Sequence, residues 1–98
     1  MSIEKSRSLL IVEDDLDLGR ALQSALAHYG FTSEWVRGGG HANARLRVVD
    51  GPVFSCVILD LGLPDCSGTE LLRTWRGGGI ALPVIVLTAR DALAARIE

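Results

Sequence analysis

Three aspartates and a threonine stand where apolar runs end, so that their side chains are able to share one site. Leu9-Leu10-Ile11-Val12 leads into Glu13-Asp14-Asp15, Cys56-Val57-Ile58-Leu59 into Asp60, and Val84-Ile85-Val86-Leu87 into Thr88. Carboxylates forced together repel, and at an effective dielectric near 20 each close pair costs about 4 kcal/mol. Either a pKa rises or a cation binds. The candidate ligands are all oxygens, with no His or Cys among them, which argues against zinc and for a hard ion. Mg²⁺ suits such a set, because it takes a few carboxylates, keeps waters and reaches for phosphate oxygens. An aspartate is also a competent nucleophile towards a phosphoryl group, giving an aspartyl phosphate. The Thr88 hydroxyl would then be a donor to one of its oxygens.

Each residue alone has a plainer use. Asp14 or Asp15 serves equally well as the N-cap of the following helix. Thr is at home in strands, and Pro64 and Gly68 suit a loop. Asp60 is different: it stands between Val57-Ile58-Leu59 and Leu61-Gly62-Leu63-Pro64, a largely buried setting with no structural need for charge. The joint placement at three strand ends is what points to a site.

The elements that must position these residues alternate along the chain. Ser8–Glu13 reads as a strand. Leu18, Ala21, Leu22, Ala25 and Tyr29 at helical spacing predict a helix over Asp15–Tyr29, stopped by Gly30. Phe31–Val36 is a shorter, more polar strand, as an edge strand should be. Gly38-Gly39-Gly40 precedes a weaker helix around His41–Val49, and Val53–Asp60 is the central strand. Ser67, with Glu70 three residues on, forms a capping box for a helix through about Trp75. Gly77-Gly78-Gly79 ends it, Val84–Leu87 is the fourth strand, and Asp91 caps a last helix running to Glu98. Short buried strands alternating with helices predict an α/β, flavodoxin-like doubly wound parallel sheet of order 2-1-3-4. Ligands of such sheets gather at the carboxyl ends of the strands, at the switch point between the first and third.

Composition narrows the function classes. The 98 residues make one domain, 48% of residues are hydrophobic, and the net charge of −2 gives no electrostatic basis for nucleic-acid binding by this segment. No apolar stretch is long enough to span a bilayer and no secretory leader precedes the first strand, so a cytoplasmic setting is expected. There Cys56 and Cys66 are reduced thiols, the first a small core residue. The glycine triplets match neither a dinucleotide-binding fingerprint nor a P-loop.

The segments Leu10–Asp15, Val57–Gly68 and Pro83–Asp91 together resemble the receiver domain of bacterial two-component response regulators, in the family's order and over the whole chain. The resemblance implies that Asp60 is the phosphoacceptor, Asp14 and Asp15 the acidic pair, and Gly62 the donor of a backbone carbonyl to Mg²⁺. It makes Thr88 the switch hydroxyl and Ala89 the small residue beside it. It also implies a sensor histidine kinase as phosphoryl donor and a signalling domain rather than an enzyme. Thr88-Ala89-Arg90-Asp91 is typical of the subgroup whose C-terminal winged-helix domain binds DNA. Residues 1–98 then form a receiver lacking the family's fifth strand, with its Lys, and the fifth helix. That reading leaves the fourth strand as an open edge able to pair with a second copy. The alternative is a pseudo-receiver, an interaction module without phosphorylation, dimerising through that edge. An aspartyl phosphohydrolase fits poorly, since position 62 is Gly where such enzymes usually place a second Asp.

Overall fold

Buried β-rich runs pair side by side because each backbone N–H and C=O removed from water needs a partner. The protein, seen in a computed structural model that describes residues 7–47, 54–88 and 94–97, does this in one sheet. Its parallel strands are β1 (Ser8–Val12), β2 (Thr32–Val36), β3 (Cys56–Asp60) and β4 (Val84–Thr88), ordered β2-β1-β3-β4. The α/β parallel sheet of order 2-1-3-4 expected from the sequence is therefore present. Val49 and Val53, expected to end a helix and open a strand, lie outside the described residues.

Side chains alternate across the sheet, and each face buries its own cluster. Leu10, Val12, Val57, Leu59, Val84 and Val86 pack with Ala42, Leu71 and Trp75 on one side. Leu9, Ile11 and Ile58 face the other, against Leu22 and Leu26. The first face is covered by α2 (Gly39–Leu46) and α3 (Gly68–Gly77), the second by α1 (Leu16–His28). Trp75 ties α3 to α2 through an Nε1–H donated to Asn43 Oδ1 at 2.6 Å.

The helix ends follow local chemistry. Ser67 Oγ accepts the Glu70 N–H at 3.4 Å, so the predicted cap opens α3, and Gly79 takes a positive φ of 87° just beyond its end. Helix α2 begins two residues earlier than its sequence pattern implies, inside the glycine triplet. A carboxylate from another part of the chain satisfies its first N–H groups: Asp65 Oδ1 accepts from Gly39 N at 3.0 Å and Oδ2 from Gly40 N at 3.2 Å.

The C-terminal segment departs from expectation. Instead of helix running to Glu98, Ala94–Ile97 forms a fifth strand, β5, antiparallel to β4 with Thr88 opposite Ala94 and Ile85 opposite Ile97. The fourth strand is thus no open edge. There the ladder to β4 outweighs local helix propensity. The expected dimerisation through a bare β4 edge loses its basis. Asp91, expected to cap the last helix, lies outside the described residues.

Candidate functional site

Register decides which carboxylates meet. Val12 pairs with Leu59 in the β1–β3 ladder, so one step further Glu13 comes opposite Asp60. Both continue the alternation of Leu9-Ile11 and Cys56-Ile58 and so fall on the same face. They are the two buried polar residues among those described, with 2% of Glu13 and 6% of Asp60 exposed. Asp60 Oδ1 accepts the Gly62 N–H at 3.2 Å, which curls the following loop around the carboxylate. Gly68 lets α3 start against that loop: a Cβ there would stand 2.6 Å from Leu61 Cα and 2.9 Å from Asp60 O.

Glu13 Oε2 accepts the Asp15 N–H at 2.9 Å, whereas Oε1 is buried with no hydrogen-bond partner. Burial raises the pKa of Glu13, the bond from Asp15 N–H opposes that rise, and the neighbouring Asp60 carboxylate adds to it. A buried carboxylate with an idle oxygen beside a second one is an environment a small cation would relieve. Among the described residues no three or more His, Cys, Asp or Glu side chains are grouped to hold a metal. A pair of carboxylates completed by backbone oxygen, water and phosphate oxygen is nonetheless what Mg²⁺ requires.

The expected site residues separate into distinct roles. Asp60 is at the predicted strand end. Asp14 is half-exposed, and its Oδ1 lies 3.4 Å from Arg37 Nη2. Asp15 caps α1, its Oδ1 accepting the Leu18 N–H at 3.0 Å. Gly62 lies two residues past Asp60 in the loop, and Thr88 ends β4, one step beyond Leu87, the register partner of Asp60. Ala89 and Arg90 lie outside the described residues. Glu13 was missed as the partner of Asp60. Counting by twos from Leu9 puts Glu13 on the face shared with Ile11, but choosing it over its acidic neighbours needs the register of β1 on β3.

A family model for the response regulator receiver domain matches residues 9–98. The chain belongs to that family. It is 40% identical over 90 residues to the transcriptional regulatory protein QseB of Escherichia coli O157:H7, covering 92% of this chain and 40% of QseB. It is 44% identical over 89 residues to the response regulator protein PmrA of Pseudomonas aeruginosa, covering 91% of this chain and 39% of PmrA. The chain thus spans about two fifths of the length of these curated relatives. Among solved structures, the non-phosphorylated HemR receiver domain from Leptospira biflexa superposes with TM-score 0.74 at 33% identity, over 90% of this chain and 68% of that one. The MaeR response regulator bound to beryllium trifluoride gives 0.77 at 26%, over 87% and 69%. Receiver domains are the signalling domains of two-component response regulators. Among the described residues no helix is long and apolar enough to cross a membrane.

Proposed function

We propose that this receiver accepts a phosphoryl group on Asp60 from a phosphohistidine of a sensor histidine kinase and so switches a transcriptional output. The observation that carries this reading is the burial of Asp60 opposite Glu13, whose Oε1 has no partner. An Asp60 oxygen attacks phosphorus, the P–N bond to the kinase imidazole breaks, and an acyl phosphate forms. Catalysis by this chain is positioning and charge neutralisation. The Gly62 N–H holds one Asp60 oxygen, and the loop fixed by Gly68 keeps the carboxylate at the strand end.

Glu13 and Asp60, with the Gly62 carbonyl, would hold Mg²⁺, which when bound supplies positive charge against the phosphoryl oxygens, while Asp14 is half-exposed beside Arg37. Glu13 takes the place first given to Asp15, which is engaged as a helix cap. Thr88 is the switch hydroxyl in this proposal, carried by its position at the end of β4. Residues 1–98 are read as one receiver domain. The relatives' names as transcriptional regulators support assigning DNA binding to a further part of such proteins rather than to this segment of net charge −2.

Intact-mass spectrometry after incubation with Mg²⁺ and acetyl phosphate tests the reading. One added phosphoryl group, lost in Asp60→Asn, is the expected result. No adduct, or one that survives in Asp60→Asn, overturns it.

A further inference from the structure

The acidic loop is gripped by the end of an edge strand. Glu13 and Asp14 lie beyond the last residue of β1, where the β1–β3 ladder stops, yet their backbone groups are bonded. Glu13 N–H donates to Val36 O at 3.0 Å, and Glu13 O accepts the Trp35 indole N–H at 2.8 Å. Asp14 O accepts from Arg37 Nε at 3.3 Å and Nη2 at 3.1 Å. Three consecutive residues, Trp35-Val36-Arg37, therefore hold the peptides that carry Glu13 and Asp14.

The position of Trp35 is built rather than incidental. Its ring lies where a Cβ on Gly19 of α1 would stand, so only glycine at that point in the helix lets the indole reach across to Glu13. Gly costs about 1 kcal/mol in a helix relative to Ala, a cost that the packed and hydrogen-bonded indole offsets. With the Glu13 N–H and C=O both engaged, the two peptides flanking its Cα are held in place. Its side chain then leaves the backbone in one direction, with Oε2 on Asp15 N–H and Oε1 idle beside Asp60.

The geometry points to Trp35 as a positioning residue: its indole N–H orients the Glu13 peptide so that the carboxylate is held ready for the cation and for Asp60. This rests on the phosphoacceptor reading given above. Outer-sphere support of this kind is typically worth ten- to a hundredfold in metal affinity.

Magnesium chloride titrated into the ¹⁵N-labelled chain and followed by amide and indole N–H resonances tests the assignment. The Trp35 indole signal is expected to shift with the same midpoint as the Glu13 and Asp60 amides. The Trp75 indole, bonded to Asn43 in the other cluster, serves as the internal control and stays in place. Trp35→Phe, which fills the space over Gly19 but has no donor, is expected to raise the Mg²⁺ midpoint roughly tenfold. A wild-type Trp35 signal that stays still while the Glu13 amide moves overturns the assignment without any variant. So does a Trp35→Phe chain that melts lower but keeps the wild-type midpoint. If no wild-type resonance responds to Mg²⁺, the phosphoacceptor reading falls too, which separates the two failures.

Discussion

The Asp65 carboxylate joins the loop that follows β3 to the first turn of α2, accepting the Gly39 N–H at 3.0 Å and the Gly40 N–H at 3.2 Å. The N-terminal N–H groups of a helix have no partner within it, and Gly38, at the cap, offers no side chain. Asp65 supplies the missing acceptor from 26 residues away. The approach is close enough that a Cβ on Gly39 would overlap Cys66 Sγ. Bare backbone in the triplet is thus what admits the loop.

These bonds from Gly39 and Gly40 lower the pKa of Asp65 below its ordinary 3.8. A carboxyl lowered on folding stabilises the chain fully above its unfolded value, and that contribution is lost as pH falls through the folded value. Asp65→Ala is expected to melt below wild type at neutral pH, with the gap narrowing in acid. Paired thermal melts at stepped pH check this. A gap that stays constant into strong acid would rule out the charged cap as its cause.

Asn43 and Trp75 make a second link between α2 and α3, here inside the core. Trp75 is 2% exposed, so removing its acceptor leaves a buried indole N–H without a partner. Asn43→Ala is expected to cost about 1–3 kcal/mol, read from urea unfolding. Trp75→Phe, which removes the donor as well, should soften the further effect of Asn43→Ala. Strictly additive losses in that double-mutant cycle would show that the bond contributes nothing.

Gly68 is the tightest backbone contact next to Asp60. A methyl group there meets Leu61 Cα and Asp60 O, neither of which is the yielding end of a flexible side chain. The Gly68 N–H also donates to Leu61 O at 3.2 Å, so loop and helix cannot separate without loss. Gly68→Ala is expected to destabilise by about 1–3 kcal/mol and to slow acetyl-phosphate loading in the fraction that remains folded. Equilibrium unfolding and time-resolved intact mass measure the two effects separately. Wild-type values for both would mean that the loop has room the structure does not show.

Much of this was readable from residue order, for physical reasons. Runs such as Leu9–Val12 and Cys56–Leu59 are apolar without interruption because both sheet faces are covered, and that pattern, with helices between, gives a parallel α/β sheet. Asp60 was legible because a charge at the end of such a run is drawn out of water with no structural need for it. Glu13 was not, because choosing among three adjacent acids needs the register of β1 on β3, which is a tertiary fact. The cap on α2 was equally out of reach: Asp65 and Gly39 are joined only once two loops are brought together. Residues 94–97 show the limit of local propensity, since Ala-Ala-Arg-Ile reads as helix and pairs as strand on β4.

Glu13 should show stability and function pulling in opposite directions. Its pKa lies above the ordinary 4.5, chiefly through burial and further through Asp60, with only the Asp15 N–H opposing. A group raised on folding lends stability that is complete below its unfolded value and is lost as pH rises through its folded value. At neutral pH, above its unfolded value, the raised and half-satisfied Glu13 is therefore a cost to the fold. Glu13→Gln removes the charge, retains an oxygen for the Asp15 N–H, and presents an amide N–H to the Asp60 carboxylate. The variant is expected to melt higher than wild type at pH 7 in the absence of Mg²⁺, and the advantage should shrink as pH falls and be gone below about 4.5. The same change should weaken Mg²⁺ binding roughly tenfold or more, since losing a ligand costs at least what losing outer-sphere support does. Melts with and without Mg²⁺ read both effects, because a ligand that binds only the folded chain raises its midpoint. A variant that melts lower without Mg²⁺, or gains as much as wild type from the ion, would show that the buried carboxylate is structural.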